Sequence, residues 1–199
     1  MRTTPWDLRS SLTADRLNRI AEALLDVYEG VLRDLSTVDD DGYTRGATFF
    51  GRARQRLIAT ALSGEHEWLK LTNSAMDVTL EIDGVPFRFF RDDHSAPKKK
   101  GFWRRNASDQ LFAPDETSPV ICRFIVESPL NVEDDTQNAE VYFIGFNAQE
   151  LQVCEWRYGS VPVLRSTDET LPEPVKQAPA PIGGVRKQGD DADKSRTGS

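Results

Sequence analysis

An α+β domain is the fold class this sequence predicts: two N-terminal amphipathic helices packed on a mainly antiparallel sheet of about five strands, followed by a disordered C-terminal tail. Three observations predict it. Apolar residues recur at spacings of three and four as far as Leu62, the period then changes to two, and the later strand-like runs succeed one another with no helical pattern between them. Successive strands pair readily as antiparallel hairpins, whereas a parallel sheet needs a long crossover at every step.

From Thr13 to Leu35, the residues Leu17, Ile20, Leu24, Leu25, Tyr28, Val31, Leu32 and Leu35 trace one face of a long helix. Thr13 is the expected N-cap, and Asp15 complements the partial positive charge of the first turn. The apolar face suits packing on the chain's own sheet; it also offers a route to a homo-oligomer through the helix 13–35. Asp39-Asp40-Asp41-Gly42 then interrupts the pattern, because adjacent carboxylates repel and glycine is a poor helix former. It resumes from Thr44 to Leu62 with Phe49, Phe50, Ala53, Leu57, Ile58, Ala61 and Leu62, ending near Ser63-Gly64. Arg45, Arg52, Arg54 and Arg56 lie off that stripe and read as a solvated face.

Val78, Leu80 and Ile82 alternate with polar residues up to Asp83-Gly84, a preferred two-residue hairpin turn, after which Val85, Phe87 and Phe89 alternate again. Pro86 has no N–H for a ladder, so the second strand of this hairpin is expected at an edge or beginning with a bulge. Val120 to Val126 is apolar except for Arg123 and reads as a central strand covered on both faces. Ala139 to Phe146 and Leu151 to Tyr158 form a second hairpin across Asn147-Ala148-Gln149-Glu150. The domain is assigned to residues 1–162. Residues 163–199 contain no aromatic side chain and are rich in Pro, Gly and charge, a composition that buries too little surface to offset its ordering entropy.

The 199 residues suit one core, and 38% hydrophobic residues are enough to build it. No run approaches the roughly 20 apolar residues of a membrane helix, and Met1 to Leu12 lacks the apolar core of a secretory signal, so a cytoplasmic location without membrane attachment is expected. Cys122 and Cys154 sit in strand-like runs and read as two buried free thiols. A net charge of -7 argues against coating nucleic acid through bulk charge. Neither phosphate-loop pattern is present, the two cysteines and two histidines have no zinc-finger spacing, and His-Glu-x-x-His is absent. No cofactor and no conventional metal site are expected.

One segment stands out against the acidic background. Lys98, Lys99, Lys100, Arg104 and Arg105 place five cations in eight residues around Phe102 and Trp103, inside a connection from Arg91 to Ser118 that is long for a compact domain. Cations with aromatics suit an acidic protein surface or single-stranded nucleic acid; the plain structural alternative is that Phe102 and Trp103 pin the loop to the body. His94 follows Asp92 and Asp93 at the border of the same loop, and a histidine beside carboxylates has the makings of a general base. The favoured expectation is therefore an intracellular, non-enzymatic binding or regulatory protein that contacts a protein partner through this basic-aromatic loop. The alternative is a nucleic-acid-binding protein or small metal-dependent nuclease using the same loop, with Asp92, Asp93 and His94 as the catalytic candidates.

Overall fold

The computed structural model describes residues 3–104, 119–128 and 139–159, all within one compact unit spanning Met1–Val161. Arg105 and the segment 163–199 lie outside the described residues. Among the described residues no helix is long and apolar enough to cross a membrane.

Three helices lead the chain: α1 (Pro5–Leu8), α2 (Ala14–Asp34) and α3 (Gly42–Ser63). The first went unread in the sequence, although Thr4, Pro5 and Asp7 form a capping box with proline in the first turn. Thr13 caps α2, accepting from the Arg16 N–H at 3.4 Å. The buried stripe of α2 is Leu17, Ile20, Ala21, Leu24, Val27, Tyr28 and Val31, packed into the core shared with α3 and the sheet. The acidic run before α3 does more than break a helix. Asp41 is its N-cap, accepting from the Thr44 N–H at 2.7 Å, and Gly64 closes it in the left-handed conformation at φ 72°. Three of the four off-stripe arginines tie elements together: Arg45 donates to the Leu35 carbonyl, Arg52 pairs with Asp34, and Arg54 donates to the carbonyls of Ser74 and Ala75.

Six strands follow in one sheet, in the spatial order of the chain: β1 (Leu69–Asn73), β2 (Thr79–Ile82), β3 (Val85–Arg91), β4 (Ile121–Glu127), β5 (Glu140–Phe146) and β6 (Gln152–Arg157). β1 is the strand beyond the expected five. Every joint is antiparallel except β3 to β4, which is parallel with Phe87 opposite Cys122 and Arg91 opposite Val126. Asp83 and Gly84 both have positive φ, 45° and 79°, the signature of a type I′ turn. Pro86 occupies an interior strand, contrary to the edge expected from its missing donor. The reason is register, since pairing with β4 begins only at Phe87 and the proline precedes that ladder.

The period of two sorts side chains between two cores. Phe87, Phe89, Cys122, Phe124, Val126, Val141, Phe143 and Cys154 face α2 and α3, with both cysteines free and buried. Ile121, Ile125, Tyr142, Ile144 and Phe146 form a second, smaller cluster on the opposite face. The parallel joint has one positional consequence: the C-terminal ends of β3 and β4 lie side by side, so Asp92, Asp93 and His94 leave the sheet next to Glu127 and Ser128.

Candidate functional site

The second cluster is closed by the segment that the sequence marks as basic and aromatic. Phe102 is fully buried against Phe90, Trp103 and Phe146, with ring centroids 5.1, 4.9 and 5.8 Å away. Trp103 is half-buried and stands edge-on to Phe146 at 4.8 Å. Burying a phenylalanine contributes about 1.5–3 kcal/mol, so this contact is one part of what holds the turn down.

Polar atoms finish the attachment. Arg123, 2% exposed, donates from Nε to the Phe102 carbonyl and from its two terminal nitrogens to the carbonyls of Cys122 and Arg104, each at 2.9 Å. Arg88, 6% exposed, donates to the Gly101 carbonyl at 3.2 Å and to Asp77 at 2.8 Å. Arg104 reaches the other oxygen of Asp77. The hydrogen bond from Arg104 and the charge of Arg88 hold the Asp77 carboxyl below the usual aspartate range, against the opposing effect of burial. Arg88 and Arg123 were not singled out in the sequence as functional residues. Their signal is a cation inside an otherwise apolar strand, which must find acceptors once buried.

With the aromatics turned inward, the lysines are left exposed and held in place. Asp92 Oδ2 accepts the backbone N–H groups of Lys98 and Lys99 at 2.8 and 2.7 Å, and Phe102 N–H returns to the Lys99 carbonyl at 3.1 Å. Gly101 takes the positive φ of 81° that the turn requires. Asp92 thus presents the lysine backbone.

Beside this turn lies a cleft of about 770 Å³ between the first half of α3 and the ends of β3 and β4. Its apolar lining is Phe50 and Phe90, both part-exposed, backed by the core residues Phe49 and Phe89, and Gly46 and Ala47 keep the helix side low. Arg91, Lys98 and Lys99 stand at its rim with Asp92, Asp93 and Glu127. Each of the three acids meets one or more of the protein's own donors through one oxygen: Asp92 the lysine backbone, Asp93 Ser95 and Ala96, Glu127 His94. Among the described residues none of the three cations makes an ion pair. Arg91 donates to Ser128 Oγ at 3.1 Å and lies 5.8 Å from the Tyr28 ring.

On the outer edge of the cleft, His94 stacks flat on Tyr142, with centroids 3.9 Å apart and planes 7° from parallel, and its Nδ1 meets Glu127. Tyr142 donates to Glu140, and burial together with that carboxylate pushes its phenol up to about 12. Asp93 Oδ1 accepts from Ser95 Oγ at 2.7 Å, Ser95 N at 2.8 Å and Ala96 N at 3.2 Å, which holds its carboxyl below the usual range. His66, the second histidine, stacks on Trp68 away from this group.

The catalytic candidates from the sequence therefore separate. Asp92 belongs to the lysine turn, while Asp93 and His94 converge with Glu127, which the sequence did not single out because it lies 33 residues further along the chain than His94. Neither a protein-family model, nor a curated protein, nor a solved structure matches this chain.

Proposed function

We propose that the chain is a binding protein whose cleft takes a short segment of a partner protein in which an aromatic or large aliphatic side chain is flanked by carboxylates. The observation that carries this reading is the pairing of a phenylalanine wall with three cations that have no ion-pair partner among the described residues, two of them on a backbone held by hydrogen bonds to Asp92. An apolar side chain gains by leaving water against Phe50 and Phe90, the part-exposed rings of the cleft, and flanking acids meet Arg91, Lys98 and Lys99. The volume lies within the roughly 300–1,000 Å³ of ordinary ligand sites. A fixed turn also spares the occupant part of the ordering cost that a mobile loop imposes.

Single-stranded nucleic acid is the weaker reading, because stacking needs exposed ring faces and of the two aromatics among the cations Phe102 has none and Trp103 is half-buried against Phe146. Peptide display against the full chain tests the choice. Enriched peptides are expected to carry one large apolar residue between Asp or Glu residues. Their binding is expected to fall roughly tenfold or more on charge reversal by Lys98→Glu with Lys99→Glu, and on filling the cleft by Ala47→Trp. Failure to enrich such peptides, undiminished binding by these folded variants, or a preference for single-stranded DNA with a steep salt dependence overturns the reading.

A further inference from the structure

We infer that Asp93, His94 and Glu127 form a binding site for one divalent first-row transition-metal ion, with Zn²⁺ the best match, at the edge of the cleft. A ligand atom from each residue lies within 4.8 Å of the other two. Donors sharing one ion at about 2.0–2.2 Å are themselves roughly 3–4 Å apart, so the ion replaces the direct His94 Nδ1–Glu127 contact once those two side chains rotate slightly apart. The donors are one imidazole nitrogen and two carboxylate oxygens, without thiolate. That mixture suits zinc or manganese, whereas magnesium and calcium favour oxygen donors throughout and copper(I) favours sulfur.

The surroundings orient these donors as metal sites require. Tyr142 fixes the plane of the His94 ring by stacking at 3.9 Å. The loop occupies Asp93 Oδ1 with three hydrogen bonds from Ser95 and Ala96, which orient the carboxylate and leave Oδ2 for an ion. Glu127 stands at the end of β4, with Glu140 opposite it in the register, so two carboxylates share this end of the sheet. A cation at Glu127 adds positive charge beside this carboxylate pair, of which Glu140 is bonded to Arg157. Three protein ligands leave a coordination position open, and Asp93 and Glu127 also line the cleft, so water or a carboxylate from an occupant has access to it. The inference is independent of what fills the cleft, because the metal alone is the probe.

The test uses the full, tag-free chain after chelator treatment. Calorimetric titration with Zn²⁺ is expected to give one saturable site that excess Mg²⁺ does not displace. His94→Gln and Glu127→Gln are each expected to weaken it about tenfold or more, with His66→Gln leaving it unchanged. A measurement on the unaltered chain guards against variants that fail to fold. Because the chain has two histidines, Co²⁺ added to protein labelled at histidine is expected to broaden the His94 resonances while those of His66 stay sharp. Absence of saturable one-to-one binding, zinc affinity that survives both His94→Gln and Glu127→Gln, or equal broadening of the two histidines overturns the site.

Discussion

Asp77 carries two arginines on one carboxylate, and that makes it a source of acid sensitivity. Arg104 and Arg88 favour its charged form in the folded protein, so its folded pKa is lower than its unfolded one. The unfolded chain therefore binds more protons as acid is added. The stabilisation is fully present above the ordinary aspartate range and is lost as pH falls through the depressed folded value. Asp77→Asn is expected to lower stability near neutral pH, since the buried Arg88 loses its anion, and to make the decline on acidification through and below the ordinary aspartate range shallower. Urea unfolding at several pH values checks both parts. The side chain of Asp77 is 41% exposed, so solvent screening keeps the neutral-pH loss modest. Asp93, lowered by Ser95, keeps some acid dependence in the variant. An acid limb identical to the parent's removes Asp77 from this role.

On the scale of the element, the turn from Pro97 to Arg104 joins two jobs that the sequence runs together. Its inward half is core: Phe102 is fully buried, and its carbonyl is held by Arg123. Its outward half, Lys98 to Lys100, is exposed. Phe102→Ala is accordingly expected to destabilise by about 3–5 kcal/mol, the cost of truncating a buried aromatic. Lys98→Glu with Lys99→Glu is expected to change stability by no more than about 0.5 kcal/mol per site, because exposed side chains that make no ion pair among the described residues contribute little. Chemical denaturation of the two variants measures the contrast. A lysine variant as unstable as Phe102→Ala would mean that the cations are structural, and the rim of the cleft would lose its proposed purpose.

For the whole molecule, the helices, the sheet and both hydrophobic clusters lie in the unit ending at Val161. Removal of the residues after Leu171, which include no aromatic side chain, is expected to shift Tm by less than about 2 °C, below the roughly 2–4 °C that 1 kcal/mol represents at this size; a larger drop by scanning calorimetry places stabilising contacts in that segment. Both long helices, the Asp83-Gly84 turn and five of the six strands were legible in the sequence, because each depends on local periodicity, capping or backbone freedom. The strand Leu69–Asn73 was harder to see, since its short run LKLTN buries little beyond Leu69. Basic and aromatic residues around Lys98 to Trp103 were equally visible, yet their order along the chain says nothing about which side chains turn inward. That was decided by Arg88 and Arg123, which bury their charge by taking the turn's carbonyls, and by the second core that Phe102 completes. The candidate metal site likewise needed the tertiary structure. Only the parallel joint of β3 with β4 carries Glu127 back beside Asp93 and His94, because pairing between distant strands, which no local pattern encodes, determines which carboxylates become neighbours.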